Sequence, residues 1–242
     1  MKTLPPIISV IIPAFNEQEH LPSCLRSLKN QKTSLPYEVI VIDNNSDDNT
    51  FKIAKSFRVN VLSEKTRGRS HARQKGAMKA KGEYLAFTEA DCEVPHDWLQ
   101  SLYDFYIKYP QIVGFSGSYI YKNSTSFLKN LAPLSLNLTS IFYKLIYGNH
   151  TFRGTNFTIR RDFFLRAGGF NHSAVPFDDV ELGLRAGKLG PIKFNSNIKV
   201  LTSDRRIKNR FFTFCLEFIR AYSRIFIFNK KGYDLLYEDI RD

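Results

Sequence analysis

Carboxylates crowd one short stretch of the chain. In Glu83-Tyr-Leu-Ala-Phe-Thr-Glu-Ala-Asp-Cys-Glu93, the acids Glu89, Asp91 and Glu93 alternate. If the extended pattern of the preceding residues continues past Thr88, Glu89 and Asp91 fall on one side of the backbone. Two hard oxygen donors so placed can hold Mg2+ or Mn2+, ions that favour carboxylates and water and are often shared with a ligand's phosphates. The plainer alternative is a solvated acidic turn before a helix capped by His96 or Asp97. Polar residues also end an earlier apolar run, in Asp43-Asn-Asn-Ser-Asp-Asp48, and basic residues gather between the two, at Lys65, Arg67, Arg69, Arg73, Lys75, Lys79 and Lys81. Guanidinium groups recognise phosphate in bidentate fashion, although a solvated basic face remains the alternative for any one of these residues.

These groups need elements to hold them. Ile7 to Ile12, Glu38 to Ile42 and Tyr84 to Thr88 are apolar runs rich in β-branched or aromatic residues, the pattern of strands buried on both faces. Val59 to Leu62 predicts a shorter strand. Between them, Leu21, Cys24, Leu25 and Leu28 recur at helical spacing, with Asn16 as the expected cap and Glu17 and Glu19 in the first turn. Ile53, Ala54 and Phe57 mark a second helix, and the basic segment from Arg69 to Lys81 a third, with Ala77 and Ala80 facing inward. Strands alternating with helices at this spacing predict a doubly wound α/β sheet with right-handed crossovers. Ligands of such sheets bind beyond the carboxyl ends of the strands, and three of these strands end in Asn16-Glu17, Asp43-Asn44 and Glu89-Asp91.

Past Trp98 the alternation weakens. Leu99, Leu102, Phe105 and Tyr106 predict a helix, and Ile112 to Tyr121 a strand interrupted by Gly114 and Gly117. Leu128, Leu131, Leu138, Ile141, Phe142, Leu145 and Ile146 suit amphipathic helices around Pro133. Those helices either pack into the core, cover the active face or contact a membrane.

With 242 residues, 43% hydrophobic and 24% charged, the chain has the composition of a folded protein rather than a disordered one. Lys and Arg number 35 against 23 acids, a net +12 that attracts phosphorylated ligands, polyanions or anionic lipid. A second basic cluster, from Arg205 to Lys231, is interleaved with Phe211, Phe212, Phe214, Phe218, Tyr222, Ile225 and Phe226. Cys24, Cys92 and Cys215 are too few and too scattered for a disulfide framework or a zinc knuckle, which fits a reducing, cytoplasmic setting. The run Ile7 to Ile12 is too short for a signal-peptide core, and no apolar stretch is expected to span a bilayer.

Val10-Ile-Ile-Pro-Ala-Phe-Asn-Glu17, Val39-Ile-Val-Ile-Asp-Asn-Asn-Ser46 and Gly82-Glu-Tyr-Leu-Ala-Phe-Thr-Glu-Ala-Asp91 lie in this order on consecutive predicted strands. Together they resemble glycosyltransferase family 2. The resemblance covers roughly residues 7 to 205 if Gly168-Gly-Phe170 and the Asp178-Asp179 segment are included. It implies a GT-A fold, a Rossmann-like doubly wound mixed sheet with helices on both faces. It also implies inverting transfer of a sugar from a nucleotide-diphospho-sugar donor, assisted by Mn2+ or Mg2+.

By this resemblance, Pro13, Ala14 and Glu17 surround the nucleotide, and Asp43 with Asn44 faces the base and ribose. Asn44 departs from the Asp of many members, and an amide offers both donor and acceptor, which leaves the base open. Arg69 and Arg73 match the segment that approaches the diphosphate. Glu89-Ala90-Asp91 stands at the family's Asp-x-Asp, with Asp91 as metal ligand and Glu89 reaching ribose or a metal-bound water. Gly154, Thr155 and Asn156 match the acceptor-side strand. Asp179 matches the general base, with Asp178 as alternative, and either acid can instead stabilise a helix N-terminus. Thr202 to Arg206 lies where some relatives place a metal-binding His, and Asp204 there reads as a substitute or as a solvated turn.

A single domain is expected over 1–242, with a nucleotide-binding half at 1–98, an acceptor half at 99–205 and a basic aromatic helical segment at 206–242. The acceptor would be a glycan or a lipid-linked glycan. Peripheral contact with anionic membrane at its inner face is a further expectation, and nucleic acid is not an expected partner. The competing reading is a polyanion-binding or membrane-surface protein without catalysis, which explains the charge but not three polar strand ends.

Overall fold

The computed structural model describes residues 4–122, 126–174 and 177–205, with backbone alone for 126–132 and 135. The described strands are β1 (Ile8–Ala14), β2 (Tyr37–Asp43), β3 (Asn60–Ser63), β4 (Tyr84–Thr88), β5 (Cys92–Glu93), β6 (Gly114–Tyr121), β7 (Asn156–Arg160) and β8 (Ile192–Thr202). All eight share one sheet in the order β3-β2-β1-β4-β7-β6-β8-β5. The first four run parallel, in the order of an open doubly wound sheet. β7 then enters antiparallel to β4 and β6, and β8 runs parallel to β6. The sheet is therefore mixed.

Helices cover both faces, which is why the parallel strands read as unbroken apolar runs. On one face, Val10, Ile12 and Val41 pack beneath α1 (Leu21–Lys29), α2 (Thr50–Ser56) and α4 (Trp98–Lys108), whose Leu25, Ala54, Trp98 and Leu102 are buried. On the other, Ile11, Ile42 and Phe87 meet α3 (Arg69–Lys79), α6 (Arg161–Arg166) and α7 (Asp178–Ala186) through Ala72, Ala77, Phe164 and Leu182. α3 lies so close to the sheet that a Cβ on Gly76 would stand 2.5 Å from Ile42 Cδ1. Aromatic rings fill the layer between α3, α6 and the sheet, with Phe87 stacked on Phe157 at 4.5 Å and Phe170 edge-on to Phe87 at 5.4 Å.

Three local features differ from the sequence-based expectations. α1 begins at Leu21, with Pro22 in its first turn, and Asn16 does not cap it; neither Glu17 nor Glu19 lies in the helix. Asn16 instead takes a left-handed φ of 51°, a region Asn tolerates. The 15–20 loop is fastened to the turn after β2, because its backbone amides need acceptors and that turn supplies them. Asn16 N donates to Ser46 Oγ at 3.1 Å, Glu17 N to Thr50 Oγ1 at 2.7 Å and Gln18 N to Asp48 Oδ2 at 3.0 Å.

The apolar segment around Pro133 forms one helix, α5 (Ser126–Tyr147), rather than two. Leu136, Ser140 and Tyr143 turn inward, while Leu138, Ile141, Phe142, Leu145 and Ile146 are exposed, so core packing does not account for the latter. Lastly, Cys92 and Glu93 form a short edge strand against β8, an element the sequence does not announce. Glu93 pairs there with Lys122 at 2.7 Å. No described helix is long and apolar enough to cross a membrane. The predicted segment 206–242 lies outside the described residues.

Candidate active site at the carboxyl rim of the sheet

Topology alone gathers the candidate residues. β1, β2 and β4 are parallel and end together, since Ala14 pairs with Asp43 and Ile11 with Phe87. β7 is antiparallel and starts at the same edge, with Asn156 opposite Thr88. β8 ends there too, because it is parallel to β6, which is antiparallel to β7. Residues 14–17, 43–48, 89–91, 154–155 and 202–205 thus share one rim.

A buried guanidinium holds the centre of this rim. Arg73, on α3, is fully buried and donates from Nη1 to Asp178 Oδ2 at 3.0 Å and from Nη2 to the Gly154 carbonyl at 3.0 Å. The same Nη2 makes a short ion pair with Glu89. One side chain therefore ties together the turn after β4, the turn before β7 and the start of α7. Gly154 is required by this closeness, since a Cβ there would lie 2.4 Å from Arg73 Nη2. Arg69 adds a partly exposed second guanidinium, 2.8 Å from Asp178 Oδ1 and 3.9 Å from Glu89 Oε1. Arg73 was expected at the diphosphate. Its burial assigns it to positioning instead, because a fully buried side chain committed to two carboxylates does not present itself to a ligand.

The two adjacent acids of α7 are set apart by this network. Burial alone raises the pKa of Asp178, but Arg69 and Arg73 outweigh it and hold the carboxyl below its usual range. Asp178 is thereby a fixed counter-ion and a poor base. Asp179 is pushed the other way, by burial first and then by the charge of Asp178, against the pull of the same arginines and of the Val180 amide. Its Oδ1 accepts from Val180 N at 2.9 Å and its Oδ2 makes a short bond with Gly154 N. Those bonds orient the carboxylate, and the raised pKa makes it the better proton acceptor of the pair.

On the nucleotide side, Pro13 and Ala14 are buried at the end of β1, and Ala14 O accepts from Asn44 N at 2.8 Å. Asp43 is buried, with Oδ2 3.4 Å from Ser46 N and Oδ1 without a hydrogen-bond partner among the described residues. An orphaned buried acceptor at a ligand-facing rim fits a hydroxyl or N–H donor from a nucleoside. The side chain of Asn44 is engaged within the protein. Its Nδ2 donates to Glu64 O at 3.0 Å and Thr66 O at 2.7 Å, and its Oδ1 accepts from Gly68 N at 2.7 Å. The amide pins the 64–68 loop ahead of α3, and is spent inside the protein rather than offered to a base.

Asp91 is buried, and its Oδ2 lies 3.3 Å from Arg205 Nη2. The same nitrogen makes a short ion pair with Glu17, so one guanidinium bridges two rim carboxylates 74 positions apart in sequence. Glu89 does not converge with Asp91 on a common cation, since the arginines of α3 hold it. Ala90 between them is buried in the core. Among the described residues, no group of three or more His, Cys, Asp or Glu side chains is disposed to hold a metal. The donor set therefore fits a divalent ion of one kind: held by Asp91 alone and completed by ligand phosphates and water, as Mg2+ is commonly bound.

On the acceptor side, Gly154 serves Asp179 and Arg73 as described, and Thr155 O accepts from Thr88 Oγ1 at 3.1 Å. Asn156 is buried and internally committed. Its Nδ2 donates to Ser118 O at 2.9 Å and Ile198 O at 3.0 Å, and Oδ1 accepts from Trp98 Nε1 at 3.2 Å. It cross-links β6, β7 and β8 and does not face an acceptor. Sequence reasoning missed Arg205 at the site, because the 202–206 segment was searched for a metal ligand or a solvated turn. The available signal is the adjacent pair Arg205-Arg206 within the segment where some relatives place a metal-binding His.

Comparison with known proteins agrees with this geometry. In fold, the chain resembles TarS of S. aureus (residues 1–349), which superimposes with a TM-score of 0.64 at 20% identity, over 81% of this chain and 60% of that one. The mannosyltransferase PcManGT of Pyrobaculum calidifontis, solved with GDP-Man and Mn2+, gives 0.70 at 19% identity over 95% and 66% of the two chains. Both share the GT-A architecture. In sequence, the glycosyltransferase AglE of Haloferax volcanii is 35% identical over 102 residues, which is 39% of this chain and 34% of AglE. The dolichyl-phosphate beta-glucosyltransferase of Drosophila melanogaster is 35% identical over 99 residues, 35% of this chain and 30% of that enzyme. The match thus spans about a third of the length of these curated relatives. Residues 9–168, well over half of the chain, match the glycosyl transferase family 2 description, and the protein belongs to that family.

Proposed function

We propose that the chain transfers a sugar, with inversion, from a nucleotide-diphospho-sugar to a hydroxyl of a glycan or lipid-linked glycan. One observation carries the reading: the rim brings Asp179, a buried carboxylate with a raised pKa, together with the nucleotide-side groups Asp43 and Asp91. UDP, UDP-GlcNAc and GDP-Man accompany the solved relatives, which supports a nucleotide-sugar donor.

In this reading Asp43 accepts from the nucleoside through its orphaned Oδ1, and Glu17 closes the loop beside it. Asp179 takes the proton from the acceptor hydroxyl as that oxygen attacks the anomeric carbon opposite the diphosphate. A single displacement of this kind needs no covalent intermediate. The transition state has oxocarbenium character, as in glycoside hydrolysis, and negative charge grows on the departing diphosphate. Asp91 would hold Mn2+ or Mg2+ against the donor phosphates, and such an ion neutralises that charge. Arg69, partly exposed at the same rim, adds a guanidinium nearby. Asp178 and Arg73 touch no substrate in this scheme. They position Asp179 and tune its pKa.

A peripheral membrane contact fits the same reading. Leu134, Leu138, Ile141 and Leu145 form an exposed apolar stripe along α5, in a span from 105 to 161 that contains no acidic residue. A face of that composition suits an anionic interface and access to a lipid-linked acceptor. Flotation with vesicles containing phosphatidylserine, but not with neutral ones, is the expected result.

The donor claim is tested by thermal shift against a panel of nucleotide sugars with Mn2+. At least one donor is expected to raise Tm, since a ligand at 100 times its Kd adds about 2.7 kcal/mol to the folded state. Asp91→Asn should abolish the metal-dependent part of that shift. Donor binding unchanged by the substitution would remove Asp91 from its role. No shift with any donor, alongside steeply salt-dependent oligonucleotide binding, would favour the polyanion reading.

A further inference from the structure

A cation already sits at Asp91, and it comes from the far end of the described chain. Pairing of Cys92 with Thr202 lays the end of β8 beside the carboxylate turn after β4. The 203–205 turn that follows carries Arg205 to a point 3.3 Å from Asp91 Oδ2 and into a shorter pair with Glu17. Asp91 and Glu17 are only 6% and 3% exposed, and buried carboxylates need a counter-charge. The Arg205 side chain is 28% exposed, so it approaches them from the solvent side. Arg73, by contrast, is sealed in.

We propose that Arg205 is a resident cation of the donor site that competes with a divalent metal for Asp91 and so sets the metal affinity of this protein. The inference rests on the reading of Asp91 as the metal carboxylate. A guanidinium and a metal ion cannot both contact one carboxylate oxygen without strong repulsion. Without a donor, Arg205 neutralises the pair. When a donor brings phosphate oxygens to complete an ion's coordination shell, Asp91 passes to the metal. Arg205 then remains with Glu17, its closer partner, and the loop that Glu17 belongs to stays in place. The arrangement makes Asp91 a poor site for free metal and a better one for metal that arrives with a diphosphate. Ions that carry no donor are thereby kept off the rim.

The experiment is titration with Mn2+ alone, read by the paramagnetic resonance signal of free Mn2+, at one ionic strength. Arg205→Ala and the near-isosteric, neutral Arg205→Gln should both bind Mn2+ at least about tenfold more tightly than the unmodified chain, the order expected from removing one nearby positive charge. Arg205→Lys, which keeps the charge, should stay close to the unmodified affinity. Adding Asp91→Asn to either neutral variant should erase the gain. The proposal is overturned if the neutral variants bind Mn2+ no more tightly while Asp91→Asn still weakens binding. If Asp91→Asn changes nothing in any background, the metal reading of Asp91 is what fails, and the competition claim falls with it.

Discussion

The rim holds two clusters built from the same chemistry, arginine against paired carboxylates, and they differ in how they are closed. Around Arg73 the cluster is inside the protein: the guanidinium and Asp178 are fully buried, and it joins the turns after β4 and before β7 to the start of α7. Around Arg205 the cluster lies at the sheet's edge, the guanidinium is part-exposed, and it arrives on a turn after the last described strand. The difference separates two jobs. Under the proposed function, the inner cluster holds Asp179, the base, in place. The outer one neutralises carboxylates that a ligand can claim, and gains by being displaceable.

That contrast is broken most directly at Arg73. Arg73→Ala leaves the buried Asp178 and the part-buried Glu89 with Arg69 as their remaining guanidinium, and loss of one partner of a buried pair costs about 3–5 kcal/mol. Urea denaturation should show a loss of this order, whereas Arg205→Ala should cost less, because its guanidinium approaches the carboxylates from the solvent side and water can take its place. Equal losses would mean that the two clusters do not differ as described. The sign with pH follows from the depressed pKa of Asp178. Its contribution is complete at neutral pH, persists down to the unfolded carboxyl value of about 3.9, and is lost as pH falls on through the folded value.

A smaller and sharper effect concerns the pair Asp178 and Asp179. In the unmodified chain the charge of Asp178 helps to raise the pKa of Asp179. Asp178→Asn removes that charge and leaves the arginines less neutralised, and both changes lower the pKa of the base. The acid limb of the pH–rate profile should move to lower pH. A limb that stays fixed would show that Asp179 does not titrate in the rate.

β1, β2 and β4 were legible because they lie inside the sheet between helical layers and show themselves as apolar runs, and their polar ends marked the rim, whereas the half-exposed edge strand β3 showed only as a short run. The GT-A fold followed from motifs on those strands. What was not legible depends on distant register or on loop geometry. β5 is two residues long and carries no periodic signal, yet its pairing with β8 lays the turn that carries Arg205 beside Asp91. Asn16 looked like a helix cap because Asn before acidic residues favours that place, but the loop amides found acceptors across the rim instead. The resemblance sets Asn44 toward the base and ribose and Asn156 on the acceptor-side strand, since an amide in a motif carries no sign of its partners. Both are internal staples, and only tertiary structure decides that. Arg69 and Arg73 are one helical turn apart in sequence, and nothing local says that the second is sealed while the first is not.

In the proposed reaction, Asp179 is the base of a sugar transfer whose donor is bound by the opposite side of the rim. The decisive measurement is a paired one on Asp179→Asn: calorimetric affinity for the donor identified by thermal shift, and turnover with that donor. Donor affinity is expected to stay within about twofold, while turnover falls by about 100-fold to 10,000-fold, the range for removing a general base. Turnover equal to that of the unmodified chain, with donor binding intact, would contradict the account.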